Sequence, residues 1–395
     1  MTRHSEGPSI QGMTLVRGAR QLLTLRGPAG ARRGAALQDL GIITDGAVLL
    51  KNGKILETGP SRRLENLTVA RGAREINAAG RVVMPGFVDG AAQPTFTPAV
   101  PDTEEHALPG RQLEQHARSR LAGMARHGTT TIAAAAIQGT ESGSVLRTLR
   151  VLNGQDGRPL DLVAVYHAAP FVSPEVICAE VLPIIRRRKL ARFVSVNCEA
   201  SELPAARRVL SAAQALGFRL TVYAGGCALG LGMALEMRAE NIALDAIEEA
   251  GIKALAGSPA MALLAPASAC DRRLERYSPG RALVDAGAAI SLVSGFGFEQ
   301  CPTYNMQMVI SLACAEMGLS PAEAISAATI NGAHAVGRGD RCGSIEPGKN
   351  ADMLLLNVED YREMPHQFGV NHVHMVLKNG ATIYREGEVT SWTGK

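Results

Sequence analysis

Apolar residues in the first sixty positions come in short runs broken by turn formers. Met13–Val16, Ala47–Leu50 and Lys54–Thr58 read as strands. Between the last two stands Lys51-Asn52-Gly53-Lys54, which suits a tight hairpin because Asn-Gly tolerates the positive φ such a turn demands. Residues 27–41 are basic and without a period, as in a loop. After Gly80, the apolar runs on either side of Pro85-Gly86 predict a strand and then entry into a new unit at Phe87-Val88-Asp89.

From there the period changes. Leu113, Ala117, Leu121 and Met124 recur at three- and four-residue spacing and predict a helix over Arg111–His127. Strand patterns follow at Thr129–Ala136, Leu162–Tyr166, Phe193–Cys198, Leu220–Ala224, Ala260–Leu264 and Ala289–Val293, with helical stretches at Leu203–Leu216, Leu229–Ala239 and Arg281–Ala286. Apolar strands alternating with helices predict an α/β fold with a parallel sheet covered on both faces. So many repeats favour a closed (β/α)8 barrel over an open sheet. The chain ends in strands again, at Ala351–Asn357, Val373–Leu377 and Thr382–Arg385, the last two joined by Lys378-Asn379-Gly380-Ala381. Both chain ends then meet in one composite β-sandwich, residues 1–82 with 344–395, and residues 83–343 form the barrel.

Composition narrows the partners. Forty-one Lys and Arg against 37 Asp and Glu give a formal charge of +4, too small in 395 residues to predict nucleic-acid binding. The run Arg186-Arg187-Arg188-Lys189 reads as a solvated helix end. No apolar stretch has bilayer length, and residues 1–13 lack the apolar core of a secretory leader, so no membrane contact is expected. Seven scattered cysteines without CxxC spacing fit reduced thiols in the cytoplasm.

Local candidates for chemistry are few. His372 and His374 alternate along a strand pattern and read as one half-exposed face. Gly225–Gly232 is glycine-rich but lacks the Lys-Ser/Thr of a phosphate loop, so close packing at a strand-to-helix turn accounts for it. Cys227 beside it reads as a buried thiol or as a reactive one at a barrel mouth.

Several segments together carry a resemblance. They are Cys301-Pro302-Thr303, Asn305–Met308, Ser311–Cys314, Ala327–Asn331, Gly343-Ser344-Ile345-Glu346-Pro347-Gly348-Lys349-Asn350-Ala351-Asp352, and Tyr361 with Phe368–Asn371. In these the chain resembles the imidazolonepropionase family of the amidohydrolase superfamily, from about Leu15 to Ile383. The resemblance implies a distorted (β/α)8 barrel with a β-sandwich from both chain ends, a homodimer, and a metal at the barrel mouth. Asp352 is expected to order a turn rather than to touch substrate.

The metal positions that the resemblance implies are substituted. Family members carry His-x-His after Pro-Gly-Phe-Val-Asp, where alternate residues leaving a strand can share one ion. Here Pro85–Asp89 is intact, but Ala91 and Gln93 occupy the two places. Tyr223 stands for the third ligand, Ala246 for the fourth, and Gly295 for the aspartate that serves as ligand and base. A methyl group cannot coordinate, and an amide oxygen is a poor substitute for imidazole. The sequence therefore predicts no metal, no other cofactor, and no metal-activated water.

Substrate-side features are altered too. Phe96–Glu105 is short and proline-rich where the family has a longer, arginine-containing segment; Arg111 could supply that charge or be a solvated helix residue. The family histidine aligns near Pro170, three residues from His167, and Glu199 matches a family glutamate. Candidate pocket residues are thus Glu199, Tyr223, His167, Cys227 and Arg111. Two readings stand. One is a non-catalytic family member that binds a small molecule or a partner; the other is a metal-independent enzyme acting on a cyclic amide or related C–N bond. A purely structural subunit would need the mouth filled, by Phe296, Phe298 and Phe171 for example.

Overall fold

A computed structural model of the chain describes residues 12–96, 109–137, 142–169, 172–298 and 301–387. The N-terminal strands are β1 (Met13–Leu23), β2 (Ile42–Lys51), β3 (Lys54–Pro60), β4 (Arg74–Asn77) and β5 (Val82–Pro85). The barrel strands are β6 (Phe87–Ala92), β7 (Thr129–Ile137), β8 (Asp161–Ala168), β9 (Phe193–Asn197), β10 (Arg219–Gly225), β11 (Asn241–Leu244), β12 (Met261–Leu264) and β13 (Ala289–Leu292). The chain returns through β14 (Met353–Leu356), β15 (Val373–Lys378) and β16 (Ala381–Arg385).

Strands from both ends form one mixed sheet in the order β16-β15-β14-β5-β1-β2-β3, with β4 beside β1. Alternation buries both faces: Val16, Val48 and Leu50 pack with Met353 and Leu355 on one side, and Leu15, Ala47 and Leu49 with Leu64 on the other. This is the composite β-sandwich that the sequence predicts. Both Asn-Gly turns form. Asn52 and Gly53 have φ of 50° and 79°, Asn379 and Gly380 of 49° and 73°, the mirror-image turn that matches strand twist. The two hairpin tips also meet, since a Cβ on Gly53 would lie 2.7 Å from the Asn379 carbonyl oxygen.

β6 to β13 pair in sequence order, every neighbour parallel. The ring closes just past β13: Gly295 N–H donates to Ala91 O (3.0 Å) and Gln93 N–H to Phe296 O (2.7 Å). A closed parallel barrel is therefore present. Along β8, Val163 and Val165 face the axis and pack with Ala133, Ala135 and Phe193, while Leu162, Ala164 and Tyr166 face the helices. The helix Ile330–Ala335 and the turn after it cover the lower end, where Ala333, Val336 and Cys342 join the axial cluster.

An ionic joint fastens the sheet to the barrel. Lys378 Nζ donates to Asp161 Oδ2 (2.7 Å) at the entry to β8 and to Asp352 Oδ2 (2.6 Å), and Asn379 N–H donates to Asp352 Oδ1 (2.8 Å). Asp352 thus orders a turn, as expected. Residues 27–41, expected as a plain loop, contain the short helix Gly34–Gln38, and Leu37 and Leu40 are buried. Among the described residues no helix is long and apolar enough to cross a membrane.

The histidine pair departs from the expected strand face. His374 lies in β15 and meets Glu386 (3.4 Å), but His372 precedes the strand and is buried. The Gln307 side chain accounts for this by accepting the His372 N–H (2.9 Å) and donating to Asn371 (2.8 Å), which draws that turn inward.

Candidate functional site

In a parallel barrel the strand ends converge at the C-terminal mouth, where active sites are built. β6 brings Asp89, Ala91 and, one step beyond, Gln93 to that end. Asp89 is 1% exposed and accepts three hydrogen bonds, from Ala91 N–H (3.2 Å), Ser294 N–H (3.0 Å) and Ser294 Oγ–H (2.5 Å). Burial pushes its carboxyl up to about 6, against the pull of those donors. Asp89 therefore ties the first barrel strand to the last, with its lone pairs already engaged.

The positions expected to hold metal are not a ligand set. Ala91 is buried and packs with Met261, Leu263, Val293 and Ala335. Gly295 sits at φ +68°, turning the chain after β13. Ala246 is exposed in the loop after β11, beside Asp245, which is paired with Arg272 (2.8 Å). Gln93 Oε1 is buried without a hydrogen-bond partner, yet one amide oxygen among methyl, glycine and aromatic neighbours in the ligand positions does not make a site. Among the described residues no three His, Cys, Asp or Glu side chains are gathered closely enough to hold an ion. The residues present do not fit a metal centre.

Aromatic rings fill the space instead. Tyr223 and Phe298 stack with centroids 5.1 Å apart, and the His167 ring meets both edge-on at 5.4 and 5.8 Å. Such arrangements match ring quadrupoles and contribute about 0.5–1.5 kcal/mol per pair beyond area burial. His167 Nδ1 shares a 2.9 Å hydrogen bond with Ser195 Oγ, and both residues are buried. Burial brings the imidazole down to about 4, so it is neutral at neutral pH. The Tyr223 phenol is pushed up, first by burial and then by nearby Asp89. Beneath this layer, among Gly90, Ala133, Val165, Thr221 and Asn241, the free space is about 10 Å³, room for about one water molecule.

The five candidate pocket residues therefore divide. His167 and Tyr223 are in ring contact on the axis. Glu199 is exposed just after β9, and Arg111 is exposed in the first turn of the helix Gly110–Arg126. Cys227 precedes the helix Ala228–Glu236, where its Sγ accepts from Gly230 N–H at 3.3 Å. None of these three bonds to the His167–Tyr223 pair.

Of the aromatics that a filled mouth would need, Phe298 joins the ring layer. Phe296 packs instead on Tyr304 (5.1 Å) under the Arg120 guanidinium, and Phe171 lies outside the described residues, as do Pro170 and most of Phe96–Glu105. The Ser294–Asp89 clamp and the Ser195–His167 bond escape sequence reasoning. Their only signal is serine in otherwise apolar strand runs.

A family model described as "Amidohydrolase family" matches residues 234–383. The imidazolonepropionase of Solibacter usitatus (strain Ellin6076) is 33% identical over 93% of this chain and 97% of its own length. That of Geobacillus kaustophilus (strain HTA426) is 31% identical over 95% and 98%. Among solved structures, a triazine hydrolase variant superposes with a TM-score of 0.71 at 17% identity, covering 94% of this chain and 95% of that one. The guanine deaminase of E. coli does so with 0.68 at 17%, covering 94% and 99%. At such identities these two structures speak for the fold alone.

Proposed function

Because the chain belongs to the imidazolonepropionase family within the amidohydrolase superfamily, we propose that it is a non-hydrolytic member that acts by binding a partner through its surface. The observation that carries this is the content of the barrel mouth. Where an ion would need imidazoles and a carboxylate there are Ala91, Gln93, Tyr223, Ala246 and Gly295, and the Tyr223–Phe298–His167 layer leaves about 10 Å³ beneath it. The space beneath the rings is therefore too small for a molecule with a ring and a side chain, which needs a cavity tens of times larger.

A metal-independent enzyme finds less support. An imidazole at about 4 is a weak base, and exposed Glu199 does not bond to it. On the same reading the protein works in the cytoplasm as a homodimer. A sedimentation mass of 41.6 kDa at high concentration would remove the dimer.

The experiment is elemental analysis of chelator-free protein, paired with assays of imidazolone propionate and a panel of cyclic amides with zinc or iron supplied. Well below one metal per chain and no ring opening are expected. Stoichiometric metal, or turnover abolished by Glu199→Gln or Tyr223→Phe, overturns the reading.

A further inference from the structure

The lower end of the barrel carries a charge imbalance that the fold does not require. Arg192 and Arg219 stand at the entries to β9 and β10, and their backbones are bonded to each other (Arg219 N–H to Arg192 O, 3.2 Å). Two more cations come from the turn after Ile330–Ala335, where Arg341 N–H donates to Arg338 O (2.8 Å). Gly337 marks where the strand-entry pair reaches that turn. A Cβ there would overlap Nη1 of Arg219 and lie 3.2 Å from Nη2 of Arg192.

Counter-charge is short. Arg219 has Glu240 at 3.5 Å, and Arg341 has only its exposed neighbour Asp340 at 3.6 Å. Among the described residues, Arg192 and Arg338 have no carboxylate within 4.0 Å, and Arg338 Nε is buried with no hydrogen-bond partner. Burial lowers the Arg192 pKa, and Arg219, Arg338 and Arg341 lower it further, with Asp340 alone opposing them. Like charges held this close repel one another, and a bound anion would offset that repulsion. Guanidinium forks match phosphate oxygens in geometry as well as in charge.

We propose that this lower end is a binding site for a soluble ligand bearing two or more linked phosphate groups, held around Gly337 by Arg192, Arg219, Arg338 and Arg341. Two oxyanions suit it better than one because the cations come as two pairs, one on the strand entries and one on the turn. The patch is a local feature of a chain whose formal charge is +4, which disfavours nucleic acid as its ligand. The site opens away from the mouth, so it does not depend on how the mouth is filled.

Isothermal titration of the full chain with inorganic pyrophosphate, against sulfate at matched ionic strength, tests this. Pyrophosphate should bind at least about tenfold more tightly than sulfate. At about 100-fold above its Kd it should raise the melting midpoint by roughly 3 °C. The double variant R192Q/R338Q should weaken binding at least about tenfold. Absent binding, equal binding of sulfate, or an unaffected double variant overturns the proposal. Should that variant fail to fold, the wild type decides through salt: affinity that does not fall as sodium chloride rises overturns it too.

Discussion

The joint between sheet and barrel and the mouth of the barrel both bury ionisable groups, and burial pushes a carboxyl up in each, but only the joint supplies a counter-ion. At the joint, Lys378 lies between Asp161 and Asp352, with side chains 4% and 2% exposed for Lys378 and Asp352. Every charge there has a partner at hydrogen-bond distance. At the mouth, an imidazole is held neutral and a carboxyl is pushed up to about 6 among stacked rings. A mouth built for hydrolysis would hold charge ready for a substrate. This one presents a half-buried stack of rings over a buried imidazole, and ionic pairing is kept where it holds the architecture together.

The joint offers the strongest way to break that contrast. Lys378→Met should lower the unfolding free energy by about 3–5 kcal/mol, because it leaves a buried aspartate without its counter-ion. Urea denaturation would measure this, and a loss under about 1 kcal/mol would mean that the joint is not an ionic fastening.

Next in size is a pH effect at the mouth. The His167 pKa falls from 6.5 to about 4 on folding, so below pH 6.5 the unfolded chain gains a proton that the folded chain refuses. Wild-type stability should therefore fall, relative to His167→Gln, as pH drops from about 6.5 to about 4, by at most about 3 kcal/mol. Asp89 runs the other way. Its folded carboxyl is raised from 3.8 to about 6, so its contribution is present at low pH and lost as pH rises through 6. The readout is thus the gap between wild type and variant at each pH. A gap that stays constant would show that the imidazole is not held neutral.

The smallest effect sharpens the contrast at the rim. Cys227→Ala should cost about 0.5–1 kcal/mol through loss of a helix cap, while Cys227→Ser should keep most of it. Equal losses in the same denaturation assay would mean that the thiol acts by something other than capping Gly230.

Much of this was legible in the sequence. Apolar runs between amphipathic stretches marked most barrel strands, and the two Asn-Gly turns formed where their chemistry placed them. β11 was missed, since Asn241–Leu244 has four residues and opens on a polar one. The choice of Phe298 over Phe296 for the ring layer was hidden by Gly295 and Gly297, whose φ of +68° and +79° turn the chain out of strand alternation just where a period of two would be counted. Ser294 and Asp89 are 205 positions apart, and the four arginines around Gly337 come from three separate segments. Closure of the barrel brings the first group together, and pairing of β9 with β10 beside the turn after Ile330–Ala335 brings the second.

β5 runs between β1 on one side and β14 on the other. Until Met353–Leu356 has been synthesised and has paired with it, Val82, Val83 and Met84 present an open apolar edge, the kind of edge on which chains aggregate. β6 likewise waits for the residues just past β13. Neither sheet can be completed by a partial chain, so folding has to finish late, with high contact order and long-lived sticky edges. Nascent or truncated forms ending before Met353 are expected to be clients of chaperones and proteases.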